Sequence, residues 1–135
     1  MSIIQWDESL SVKVKEIDAQ HQKLINLLNE LFDAMRVGKG NQILGGILHS
    51  LVTYTQTHFK NEEMYFDKFQ YPDAVAHKAE HKKLVEKTMK FKTDFEAGKV
   101  GISIPLMDFL SNWLKDHIKG TDKKYGPFFN QNGLI

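Results

Sequence analysis

HFKNEEMYFDKFQYPDAVAHKAEHKKL, residues 58–84, is the stretch whose reading decides the fold. His58 and Glu62 are four residues apart, and so are His77 and His81. On an α-helix, residues four apart differ by about 40° around the axis, so each pair points one way. Pro72 and Asp73 fall between the pairs and suit the first turn of a new helix. The spacing therefore predicts two helices separated at Pro72, each carrying metal-ligand residue types within its apolar stripe. The earlier helix runs from about Asn41 to Phe69, with Ile43, Ile47, Leu51, Tyr54, His58, Tyr65 and Phe69 in rhythm. The later one runs from Pro72 to Gly98 along His77, His81, Leu84, Thr88, Phe91 and Phe95.

Two further blocks flank this pair. Leu24, Leu28, Leu31, Phe32 and Met35 mark a helix from about Asp18 to Val37, stopped by Gly38 and Gly40. Leu106, Phe109, Leu110, Trp113, Leu114 and His117 mark another, starting near Ser103 with Pro105 in its first turn. Four amphipathic helices joined by short loops predict an all-α antiparallel up-down four-helix bundle. Ser11–Lys15 alternates and is β-branched, which predicts an extended N-terminal arm anchored by Trp6. One domain over residues 1–135 is expected, with the arm at 1–17, the bundle at 18–121 and a short tail at 122–135. The tail is expected to hold a short helical turn around Tyr125 to Phe129.

Composition narrows the function. A chain of 135 residues with 41% hydrophobic and 26% charged residues is globular. A formal net charge of +1 gives no reason to expect nucleic acid or an anionic membrane as a partner. There is no cysteine, which removes disulfides, thiolate metal sites, iron–sulfur clusters and cysteine nucleophiles. No apolar run reaches the length of a membrane span, and the start Met1-Ser-Ile-Ile-Gln-Trp-Asp-Glu lacks the features of a signal peptide. The expected setting is the cytoplasm.

The six histidines carry the chemistry. His21 lies three before Leu24 and seven before Leu28, in line with the first stripe. His117 lies three after Leu114 and four after Trp113. Each helix thus aims at least one imidazole at the bundle axis, where facing helices build metal sites. Neutral imidazole suits iron, copper and zinc, and buried imidazoles with a buried Glu62 are costly unless something binds them all. His49 is the internal control: nine residues before His58, half a turn away, it should face solvent. Asp122 follows His117 by five, the spacing of a π turn that Gly120 would ease. On residue spacing alone Asp122 is either a ligand or a cap for the tail.

The combined pattern resembles the hemerythrin family, and single-domain bacterial hemerythrins in particular. It consists of His21; His58-Phe-Lys-Asn-Glu62-Glu63; His77-Lys-Ala-Glu-His81; and Trp113-Leu114-Lys-Asp-His117-Ile118-Lys-Gly-Thr-Asp122-Lys-Lys-Tyr125. The resemblance covers nearly the whole chain and implies a non-haem di-iron centre with an oxo or hydroxo bridge. By analogy His77, His81 and His117 hold one iron, His21 and His58 the other, and Glu62 and Asp122 bridge them. Dioxygen would bind end-on at the open position beside His21 and His58. Two ferrous ions, two carboxylates and a bridging hydroxide carry one net positive charge. Moving two electrons and the bridge proton to dioxygen leaves that sum unchanged, so a low-dielectric pocket does not oppose the step. The sequence shows no obvious buried acid beside the site. The resemblance also implies an apolar dioxygen pocket lined by Leu24, Phe59, Trp113, Leu114 and Ile118, with Leu114 guarding it and Leu84, on another helix, serving as a packing control; the alternative is that all five are ordinary core.

The implied function is reversible dioxygen binding for storage, delivery or scavenging, and not catalysis. Ferritin-like oxidising bundles use Glu-x-x-His on two helices, and no Glu-x-x-His occurs here. The alternatives are oxygen or redox sensing through a separate partner, a di-iron oxidase, or the handling of iron or nitric oxide. Dioxygen is the expected ligand, and an oxygen-using enzyme or a signalling protein the expected type of macromolecular partner.

Overall fold

The structure is a computed structural model and describes residues 3–135; the first two residues of the expected arm lie outside it. A 3₁₀ turn at Glu8–Leu10 precedes α1 (Lys15–Arg36), α2 (Asn41–Phe69), α3 (Ala74–Glu96) and α4 (Ile104–Asp116). A π-helical turn, His117–Asp122, leads directly into α5 (Lys123–Gln131). There is no strand among the described residues, and none of their helices is long and apolar enough to cross a membrane. The four long helices form the up-down bundle, α1 packing on α2 and α4, and α2 on α3.

The helix ends follow local chemistry. Gly38 (φ 76°) and Gly98 (φ 78°) take the left-handed conformation that ends α1 and α3. There the N–H groups of Lys39 and Lys99 reach back to Ala34 O and Asp94 O, both at 2.9 Å. Ser103 caps α4 by accepting the Leu106 N–H at 3.3 Å, with Pro105 in the first turn. Pro72 falls in the turn before α3 and not inside it, and Asp73 is the residue flanking the helix start.

Three expectations need correction. Helix α1 begins at Lys15, three residues before Asp18. Asp18 does not cap it; its carboxylate turns back and accepts the Val12 N–H (2.9 Å) and the Ser11 hydroxyl (2.6 Å), holding the arm down. Trp6 is only half-buried at the edge of the core, while Ile4, Leu10, Val12 and Val14 are buried. The arm is anchored by those side chains and by Asn29, whose amide accepts from Ile3 N and Ile4 N (both 3.1 Å) and donates to Ile4 O (2.9 Å). In the first half of α2 the inward stripe is Leu44, Leu48 and Val52, and Ile43 is 51% exposed.

The segment after Asp122 is not peripheral. Tyr125 and Phe129 of α5 are wholly buried and close the end of the bundle beneath the arm. Gly126 permits this approach, since a Cβ there would stand 2.5 Å from Val12 O. Asn130 ties the same surfaces together by donating to Lys13 O at 3.0 Å.

Candidate metal centre

Each long helix delivers its part of one buried cluster. Helix α1 places His21, α2 places His58 and Glu62, α3 places His77 and His81, and the π turn places His117 and Asp122. None of the seven is more than 6% exposed. An ideal α-helix would splay His117 and Asp122, and the π turn brings both to the axis. Gly120 is not strained in that turn: its φ is not positive and the space around it is open. His49 is exposed, as its helical phase requires.

The donors fall into two groups sharing Asp122: His77, His81 and His117 with Asp122, and His21, His58 and Glu62 with Asp122. The two oxygens of Asp122 divide between them. Oδ1 lies 2.9 Å from His77 Nε2 and 3.0 Å from His117 Nε2, and Oδ2 lies 3.1 Å from His21 Nε2. Glu62 Oε1 is 2.9 Å from His58 Nε2 and 3.7 Å from His81 Nε2. Each carboxylate therefore faces imidazoles of both groups.

These contacts are not ordinary hydrogen bonds. All five Nε2 atoms and all four carboxylate oxygens are buried without a hydrogen-bond partner. Nine such atoms on one axis are costly in a metal-free core, where only the imidazole–carboxylate approaches offset their burial. Two donors at right angles on one ion, each about 2.1 Å from it, stand about 3.0 Å apart, which matches the closest separations. The donor set, imidazole-rich with two carboxylates and no thiolate, suits two first-row transition metal ions.

A second row of groups orients the imidazoles. The Nδ1 atoms of His58, His81 and His117 meet Gln20 Oε1 (2.6 Å), Glu63 Oε2 (2.8 Å) and Glu80 Oε2 (3.1 Å). With Nδ1–H donating outward, Nε2 keeps its lone pair for the centre. Burial pushes the His81 imidazole down to about 3, against the opposing pull of Glu62, so the ring is neutral at physiological pH. Burial would raise Asp122, but the surrounding imidazoles, His117 first, hold it well below the usual carboxylate range. At His58, burial disfavours the charged ring, but the Glu62 carboxylate outweighs it and raises the pKa.

Tyr125 escaped the sequence reading. It is wholly buried, its ring lies 5.6 Å from that of His77, and its hydroxyl lies toward Glu62 without a well-formed hydrogen bond. Burial, then the charges of Asp122 and Glu62, push its phenol well above the ordinary value. A protonated buried hydroxyl thus sits beside the cluster, where the sequence showed no acid. Gln20, Glu63 and Glu80 were missed as well. Glu63, Glu80 and Tyr125 stand inside the quoted motifs and Gln20 next to His21, but neither phase nor spacing gave any of them a role.

On the opposite side the cluster is capped by aromatic rings. Phe59 stacks on His81 (3.8 Å between ring centres, 3° between planes) and Trp113 on His117 (4.4 Å, 15°). Beyond them lies an apolar cavity of about 190 Å³ bordered by Leu24, Phe59, Trp113 and Leu114. Ile118 does not border it; the π turn rotates that side chain into the packed core, where it is wholly buried. Leu84 does border it and so cannot serve as a control outside the pocket.

A family model described as hemerythrin HHE cation binding domain matches residues 12–129. The bacteriohemerythrin of Methylococcus capsulatus is 35% identical over 94% of this chain and 97% of its own. That of Stenotrophomonas maltophilia is 33% identical over 93% and 80%. A hemerythrin-like protein of Naegleria gruberi is 36% identical over 92% of both chains. The crystal structure of a wild-type hemerythrin matches with a TM-score of 0.90 at 34% identity, covering 93% of this chain and 97% of that one.

Proposed function

The chain belongs to the hemerythrin family, and from that premise we propose that it binds dioxygen reversibly at a non-haem di-iron centre, as a carrier and not a catalyst. The observation that carries this reading is the pair of shared carboxylates. Glu62 and Asp122 each turn toward imidazoles of both donor groups, an arrangement that serves two adjacent ions and has no use for one. His77, His81 and His117 would hold one iron. His21 and His58 would hold the other. When bound, the two irons supply the two electrons that dioxygen accepts.

The chain's own residues do the rest. The second-row groups orient three of the five imidazoles, those of His58, His81 and His117, toward the centre. Leu24, Phe59, Trp113 and Leu114 line the apolar side of the cluster and would exclude water and its protons from it. Tyr125, held protonated on the other side, donates no charge to the cluster and can give a hydrogen bond to a shared carboxylate. Only two carboxylates enter the cluster, against the carboxylate-rich sites of oxidising bundles.

The protein should contain two irons per chain by elemental analysis; one metal, or zinc in protein produced with ample iron, would count against the proposal. Anaerobic reduction, then dioxygen, then vacuum should produce and remove an absorption band. Irreversible oxidation with peroxide release would show an oxidase instead.

A further inference from the structure

The cavity beyond the cluster is larger than dioxygen needs. At about 190 Å³ it exceeds the 150 Å³ or so of an engineered cavity that takes up benzene. Its walls offer almost nothing polar. Thr55 and Thr88 border it, but their hydroxyl protons are committed to Leu51 O (2.7 Å) and Val85 O (3.1 Å) of their own helices. Among the described residues the one charged side chain on its border is Lys87, which is exposed at the mouth between α3 and α4. The Lys87 ammonium lies over the Phe109 ring, 4.4 Å from its centre, and that ring also borders the cavity. Among the described residues no carboxylate lies within ion-pair distance of Lys87.

We propose that this cavity is a binding site for a medium-chain alkyl carboxylate, with the chain inside the bundle and the carboxylate on Lys87. A dry interior with one cation at its rim matches a molecule that is apolar along its length and anionic at one end. Water is a poor occupant of most of this space, since it requires two or more polar partners and, apart from the Thr55 and Thr88 hydroxyl oxygens and the Trp113 indole N–H, the interior walls are hydrocarbon. The chain would extend from the α3–α4 seam toward Phe59 and Trp113, so an occupied cavity would stand between solvent and the metal cluster. The proposal does not depend on oxygen binding, because the site is defined by the walls and the lysine alone.

Calorimetric titration of the iron-loaded protein tests it, with octanoate, 1-octanol and acetate as probes. Octanoate should bind one per chain, acetate should not bind, and 1-octanol should bind more weakly than octanoate. Lys87→Gln, an exposed change, should weaken octanoate at least fivefold and leave 1-octanol unaltered. Leu110→Phe, which fills the cavity from α4, should weaken both, with circular dichroism confirming the fold. Absence of octanoate binding at millimolar concentration overturns the proposal. So does octanoate binding that is indifferent to Lys87→Gln, or to both variants. Equal binding of acetate would place the carboxylate on the metal and would also overturn it. Reversible oxygenation is read separately by absorption, so either result can fail while the other stands.

Discussion

His49 and His58 are one residue type on one helix, and only helical phase separates them. His58→Ala removes a donor that faces Glu62 at 2.9 Å, and it should lose iron from the position shared with His21. His49→Ala touches an exposed ring and should leave two irons per chain. Iron content and the oxygenated spectrum check both. Leu114 is half-buried between the cavity and the core. Leu114→Ala should cost about 2 kcal/mol, the low end for a leucine truncation, and let water toward the cluster. The oxygenated protein should then oxidise faster at matched iron content. Leu31, wholly buried and away from the cavity, replaces Leu84 as the control; an equal rise in Leu31→Ala would reduce Leu114 to packing. Six of the seven clustered residues were legible because each lies in phase with an apolar stripe; Asp122 was out of phase and entered only through the resemblance. Gln20, Glu63, Glu80 and Tyr125 were not legible, since a polar residue at a helix edge reads as surface until its neighbour across the bundle is known.

At the scale of elements, the five-residue step from His117 to Asp122 matched a π turn but by itself fitted a tail cap as well, and the structure decides for the π turn. The start of α2 was not legible. Ile43, Leu44, Ile47, Leu48, Leu51 and Val52 form two apolar stripes side by side, and spacing alone fits either. Which one turns inward is set by packing against the neighbouring helices, and the structure chooses Leu44, Leu48 and Val52. Two glycines make opposite predictions. Gly126→Ala pushes a methyl against Val12 O and should destabilise by about 1–3 kcal/mol by separating α5 from the arm. Gly120→Ala meets nothing, and replacing a helical glycine should gain about 0.5–1 kcal/mol without loss of iron. Urea denaturation of both variants distinguishes them, and iron loss in Gly120→Ala would mean that the π turn depends on its glycine.

For the whole molecule, metal and fold are linked. Coordination needs neutral imidazoles, so acid should release the iron. Metal-free protein should melt well below the iron-loaded form, because the orphaned donors then face one another uncompensated. Calorimetry of the two forms checks this, and equal melting temperatures would refute it. The metal-free form should also lose stability in acid. His81 titrates near 3 when folded and near 6.5 when unfolded, so the unfolded chain binds the extra proton between those values. Its stabilising contribution is present above about pH 6.5 and is lost as pH falls toward 3. Asp122, depressed in the folded state, acts in the same direction. His58 and His117, raised in the folded state, act oppositely: their contribution is full below pH 6.5 and fades as pH rises.

Asp122 facing His21 across the bundle has a mechanical meaning. The chain has no disulfide, yet donors of α1 and of the π turn meet at one centre, and a metal there would close residues 21–122 into a loop. Stretched by its termini, the molecule would yield the arm and α5 first, since both lie outside that loop. The span from His21 to Asp122, about 350 Å when extended, stays hidden from the force until a metal–ligand bond breaks. Iron would act here as a reversible clasp, and a metal-free molecule pulled in the same way should lengthen without that stop.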